Sequence, residues 1–167
     1  MKTFFLALVF TAFAGAQVLP NLVFFAGASA DPNGGVMSAS TDIGGAKLIG
    51  TGTYLGGVAH VGPKSLSPVQ ISTKIQFHVA QRILTFRNAP LFWTAEVGPD
   101  IATATGVTAA GLATATGTDI GYTVGSGPMA SIPLGKSMYL MPHAEITKGS
   151  LADVGWRAGL LLGWGSN

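Results

Sequence analysis

Apolar and polar residues alternate along much of the chain, most clearly in its second half. Successive side chains of a β-strand point to opposite faces, so a period of two predicts strands with one apolar and one polar face. From Val69 to Val79 one parity reads Val69, Ile71, Thr73, Ile75, Phe77 and Val79, and the other reads Gln70, Ser72, Lys74, Gln76 and His78. Past a predicted turn at Arg87-Asn88-Ala89-Pro90, Leu91, Trp93, Ala95 and Val97 alternate with Phe92, Thr94 and Glu96. Further on, Met138, Leu140, Pro142, Ala144 and Ile146 stand opposite Tyr139, Met141, His143 and Glu145. The last strand sets Val154, Trp156, Ala158, Leu160, Leu162 and Trp164 against Gly155, Arg157, Gly159, Leu161 and Gly163.

Turn residues divide the first half at Asp31-Pro32-Asn33-Gly34, Ile43-Gly44-Gly45-Ala46 and the stretch from Gly62-Pro63-Lys64-Ser65 to Pro68. The predicted strands are 22–30, 35–43, 46–60, 69–86, 90–105, 113–132, 137–147 and 152–164, eight in all. Most supply the roughly 9 to 11 tilted residues that cross a bilayer.

Alternation alone also describes a soluble exported β-sandwich for binding or adhesion, with its apolar face inside and its polar face in water. The last strand argues otherwise. Its polar side, three glycines with an arginine and a leucine, solvates an exposed sheet poorly and suits a crowded lumen. Its apolar side, with two tryptophans, suits a lipid face. The predicted fold class is therefore all-β, an eight-stranded antiparallel up-and-down transmembrane β-barrel. Its lipid-facing set is Val69, Ile71, Ile75, Phe77, Trp93, Leu140, Ile146, Trp156, Leu160, Leu162 and Trp164. With periplasmic termini, the turns at 43–46, 87–90 and 133–136 are the short periplasmic ones, and 61–68 and 106–112 are the longer external ones.

Charge is consistent with this. Lys74, Arg82, Glu96, Glu145 and Arg157 fall on the parity opposite the apolar one, and the remaining charges of the mature chain lie at or near predicted turns. Charged residues make up 10% of the chain, against roughly 25% in ordinary globular domains. The opening segment has Lys2, an apolar run from Phe4 to Phe13 and Ala14-Gly15-Ala16 before Gln17, which predicts a cleaved signal peptide over 1–16 and a barrel domain over 17–167. Later apolar runs are too broken for a transmembrane helix. No cysteine is present for disulfides or a lipid anchor, and a net charge of +2 with no basic run argues against nucleic acid.

An internal repeat, Ala102-Thr103-Ala104-Thr105-Gly106 and Ala113-Thr114-Ala115-Thr116-Gly117, reads either as a hairpin rising above the membrane as a contact surface or as a low-complexity connector. His60, His78 and His143 lack metal-ligand spacing, and no cofactor is expected. An eight-stranded lumen is just wide enough to be filled by side chains. Lys74, His78, Arg82, Glu96, His143, Glu145 and Arg157 are expected to form a polar network that fills it, which disfavours a narrow pore and makes Glu96 and Glu145 salt-bridge partners rather than an acid–base pair.

These residues resemble the small eight-stranded outer-membrane barrels, the OmpA-like, OmpX-like and opacity-type group, over the whole mature chain. The most specific piece is Arg157-Ala158-Gly159-Leu160-Leu161-Leu162-Gly163-Trp164, which is similar to the final-strand assembly signal of that group at Arg157, Gly159, Leu162 and Trp164. Gly165-Ser166-Asn167 follow, where that group usually ends on the aromatic residue. The resemblance implies outer-membrane lipid and the barrel assembly machinery as partners, together with some extracellular partner. A lipid A-modifying barrel enzyme is the rival from another class, but its His-x-Ser arrangement is missing here; His143-Ala144-Glu145 is the nearest approach. The expectation is a non-enzymatic outer-membrane barrel with a structural or surface-contact role.

Overall fold

The computed structural model describes residues 19–33, 36–66, 69–107 and 113–166. Among these, the strands are β1 (Leu22–Asn33), β2 (Val36–Leu48), β3 (Thr53–Leu66), β4 (Val69–Phe86), β5 (Ala89–Val107), β6 (Ala113–Ala130), β7 (Ile132–Pro133), β8 (Met138–Gly149) and β9 (Gly155–Ser166). β7 continues the β6 stave after a break at Ser131, since both pair with β8 in one register, Met129 with His143 and Ile132 with Leu140. Each stave pairs antiparallel with its neighbours, and pairing of β9 with β1 and of β6 with β8 closes an eight-stranded up-and-down barrel. A sandwich has two sheets with open edges; this is one sheet closed on itself.

The alternation read from the sequence divides outside from inside. Phe24, Ile75, Phe77, Trp93, Ile146, Trp156, Leu160 and Trp164 are exposed on the outer wall. Ser29, Asp42, His60, His78, Glu96, Glu145 and Arg157 are buried within. Ile71 is also exposed, and Leu140 and Leu162 lie half-buried on the same outer parity; the side chain of Val69 lies outside the described residues. Apolar side out and charge in is the inverse of a protein folded for water.

At the end carrying the chain termini the turns are tight. Arg87 and Asn88, with φ of 46° and 70°, form a two-residue link between β4 and β5, and two consecutive left-handed residues match the twist of the strands they join. The β2–β3 turn is at residues 49–52, not at the expected 43–46. Gly44 and Gly45 instead pair within β2, and Gly44 is glycine because a Cβ there would overlap the Phe25 ring. The opposite end also differs from expectation. β3 runs to Leu66, through most of the predicted 61–68 loop, and both copies of the Ala-Thr-Ala-Thr repeat are strand, with Ala104 opposite Gly117 and Thr105 opposite Ala115.

The wall is uneven in height. β4, β5 and β6 have 18, 19 and 18 residues, whereas β1, β8 and β9 have 12 each. The excess lies at the loop end, because β6 pairs with β8 only from Thr123 onward and residues 113–122 continue past it.

Inside, the bore is not polar throughout. Toward the termini it holds a buried apolar cluster that includes Val23, Phe25, Tyr54, Phe92, Met129, Tyr139, Met141 and Leu161. The charged groups occupy the middle and the loop end.

Candidate functional site

The chemistry in the bore is assembled from facing strand positions. Asp42 and His60 are register partners on β2 and β3, His78 and Glu96 on β4 and β5, and Glu145 and Arg157 on β8 and β9. Strand alternation turns all three pairs inward, and an eight-stranded bore is narrow enough for them to meet.

Glu96 is the hub. Its Oε1 accepts from His78 Nδ1 at 2.9 Å, and its Oε2 faces His60 Nε2 at 3.0 Å and accepts from Arg157 Nη2 at 2.5 Å. The same Arg157 nitrogen donates to Glu145 Oε2 at 2.6 Å. His60 Nδ1 lies 2.7 Å from Asp42 Oδ1, so both ring nitrogens of His60 face carboxylate oxygens. An ionised carboxylate only accepts and a neutral imidazole has one N–H, so Asp42, His60 and Glu96 together hold one proton more than a neutral ring supplies.

Ser29 adds a further link. Its hydroxyl donates to Asp42 Oδ2 and lies 3.1 Å from His143 Nε2. The hydroxyl proton is spent on Asp42, so His143 Nε2 is the donor in that contact. Ser29 is on β1 and His143 on β8, and both are in register with Gly159 on β9 between them. Any Cβ at position 159 would collide with the Ser29 hydroxyl and the His143 ring.

Nearer the loop end, Ser72 donates to Asp100 at 2.6 Å, and Lys74 Nζ is 3.3 Å from Asp31 Oδ2. The sequence-predicted set is thus brought together only in part. His78, Glu96, His143, Glu145 and Arg157 share the central layer, whereas Lys74 pairs with Asp31 nearer the loop end. Arg82 is exposed at the termini end, beside the β-bulge between Arg82 and Leu84 and against Gly52, outside the network.

Ser29, Asp42 and His60 belong to the central layer, and Asp100 lies nearer the loop end with Ser72; none of the four is among the expected lumen residues. Asp42 and Asp100 were placed near turns, and both are buried inside strands. The signal for Asp42 was the even parity of 35–48, hidden by reading Gly44-Gly45 as a turn.

Ser29, His143 and Asp42 superficially combine the parts of a nucleophilic triad. In a triad the carboxylate orients the histidine; here it takes the serine proton itself, and all three groups are buried. Among the described residues no group of three or more His, Asp and Glu side chains is arranged to hold a metal ion.

No protein-family model and no curated protein sequence matches the chain. Its fold is similar to several solved structures. Neisserial surface protein A superposes with a TM-score of 0.61 at 15% identity, over 90% of this chain and 97% of that one. The N-terminal β-barrel domain of Pseudomonas aeruginosa OprF gives 0.51 at 13% identity, over 87% and 97%. Ail, the attachment invasion locus protein of Yersinia pestis, gives 0.51 at 11% identity, over 86% and 94%. The likeness is one of fold: a small, closed, antiparallel barrel.

Proposed function

We propose that this chain is a non-enzymatic integral outer-membrane protein, its bore filled by side chains, acting through the surface at its loop end. The observation that carries the reading is the outer face of β9. Trp156 and Trp164 bracket Ala158, Leu160 and Leu162 on one side of the strand. Eight residues at about 3.4 Å each span about 27 Å along the strand, or about 20 Å along the bilayer normal at the usual tilt of about 45°. The apolar band of such barrels is about 25 Å tall, flanked by aromatic residues. On the next strand Phe24 is in register with Trp164, adding a second aromatic at the termini end.

Export is part of the proposal, with cleavage after Ala16 leaving Gln17 at the N-terminus; residues 1–18 lie outside the described structure. Assembly is part of it as well. On β9, Arg157 and Gly159 face the bore while Leu162 and Trp164 face outward, a two-sided pattern that assembly machinery would read as the strand is added. The surface role is supported by the tall β4–β6 wall and by the similarity in fold to a protein named for attachment and invasion.

The test is fractionation of cells expressing the full chain, followed by electrophoresis of detergent extracts with and without boiling, and mass spectrometry of the N-terminus. Outer-membrane recovery, a heat-dependent mobility shift and an N-terminal Gln17 are expected; recovery as a soluble periplasmic or secreted protein overturns the proposal. Steady conductance in planar bilayers would overturn the filled bore, and release of fatty acid from lipid A by the purified barrel would overturn the non-enzymatic reading.

A further inference from the structure

Charge is divided unevenly between the two ends of the barrel. Of the seven Asp and Glu residues, both glutamates, Asp42 and Asp100 are buried in the bore, Asp31 pairs with Lys74, and Asp119 and Asp153 stand at the loop end. The termini end thus has no Asp or Glu. It exposes four cations instead, Lys47, Arg82, Arg87 and Lys136, and none of them has an ion-pair partner among the described residues.

Three of the four belong to neighbouring staves. Lys47 has the outward parity of β2, in register with Leu22 on β1 and Leu55 on β3. Trp164, Phe24 and Gly45 are register partners across β9, β1 and β2, and Lys47 is two positions past Gly45 toward the termini end. Its side chain therefore leaves the apolar wall at the aromatic border, where a long lysine stem reaches headgroup level. One residue later β2 ends in the 49–52 turn, and Arg82 lies across it: its backbone N–H donates to the Gly52 carbonyl at 2.7 Å and its side chain covers that glycine. In the next turn the guanidinium carbon of Arg87 is 5.5 Å from the centre of the Phe86 ring. Ile49, Ile83, Leu84 and Phe86 are exposed among these cations.

We propose that this patch binds anionic phospholipid of the leaflet at the termini end, with headgroup phosphates on Lys47, Arg82 and Arg87 and acyl chains on the apolar wall beside them. The inference rests on the membrane reading above. A soluble polyanion would pair with the cations but leave Ile49, Ile83, Leu84 and Phe86 against water; a lipid satisfies both, because its charge and its chains lie at the same two levels as theirs. A zwitterionic headgroup brings an ammonium of its own to the patch and gains less. Each Lys or Arg near a membrane surface strengthens association with anionic lipid roughly fivefold.

The sequence carries its own probe. Trp93 is exposed on the outer wall, in register with Gln81, the neighbour of Arg82. The full chain with Trp156→Phe and Trp164→Phe, leaving Trp93 as reporter, is reconstituted in phosphatidylcholine vesicles, and its fluorescence is quenched with chain-brominated phosphatidylglycerol or chain-brominated phosphatidylcholine. Phosphatidylglycerol should associate at Trp93 about fivefold or more over phosphatidylcholine at low salt, and the preference should shrink toward parity at about 1 M salt, where the screening length is about 3 Å. Lys47→Gln, Arg82→Gln and Arg87→Gln together should abolish it, whereas Lys148→Gln, outward at the loop end, should leave it intact. Equal quenching by the two lipids, a preference that survives the triple substitution, or one that is lost with Lys148→Gln overturns the site. The heat-dependent mobility shift is read on the same samples: if it is present, those outcomes strike the lipid site alone, and if it is absent from every vesicle the membrane reading falls and the site with it.

Discussion

Ser29 and His143 are joined by a 3.1 Å hydrogen bond that crosses a strand to which neither belongs. The strand is β9, and the residue beneath the bond is Gly159. Position 159 therefore serves packing in the bore as well as the final-strand pattern in which it also falls. Replacing Gly159 by Ala should break the bond and cost about 1–3 kcal/mol, the usual range for overfilling a packed interior. The reverse change at the contact itself, Ser29→Gly in the Gly159→Ala background, should recover part of that loss. Urea midpoints in lipid for the parent and the two variants check this, and an unaltered midpoint for Gly159→Ala would contradict the geometry.

Arg157 donates through one nitrogen to both Glu96 and Glu145. Arg157→Met leaves two buried carboxylates without their shared cation, and removal of one partner from a buried pair costs about 3–5 kcal/mol. Adding Glu96→Gln and Glu145→Gln to the same chain should restore much of the stability, because the uncompensated charge goes with them. The heat-dependent mobility shift across the series reports folding, and a single mutant as stable as the parent would show that the ionic layer contributes nothing.

On the outside, Leu160 is half exposed between the two tryptophans of β9. Leu160→Arg should cost about 2–4 kcal/mol if that position sits near the bilayer midplane. The same change at Val154, exposed at the loop end beyond the strand, should cost far less. Equal tolerance of the two in refolding yields from lipid vesicles would place the membrane elsewhere on the wall.

At the β4–β5 turn, Asn88 adopts a φ of 70°. Asn tolerates the left-handed region and β-branched residues do not, so Asn88→Val should lose about 1–2 kcal/mol while Asn88→Gly stays near the parent value. Unfolding midpoints decide it, and a harmless Asn88→Val would mean the turn can take another form.

The closed sheet was legible because each stave must alternate, and from Val69 onward the alternation is clean. It failed at β2, where Gly44-Gly45 look like a turn but make room for Phe25. That single misplacement concealed Asp42, and with it the His60 bridge to Glu96. The apolar half of the bore was partly visible as Phe92, Tyr139, Met141 and Leu161 on the inward parity, each toward the termini end of its strand. A parity tells which side a residue faces but not how far along the axis it meets its neighbours. Arg82 has the inward parity and still lies outside the network, because it is near the end of the barrel beside a bulge.

The unequal staves have a consequence for how the molecule meets its surroundings. A regular cylinder is indifferent to rotation about its own axis. With a low sill at β8, β9 and β1 and a high back at β4, β5 and β6, this barrel, set in a bilayer as proposed, has a compass bearing in the membrane plane. Whatever reaches its rim from the side arrives over the sill or is met by the back. The heading of each copy relative to its neighbours then becomes a property that crowding in the membrane can select.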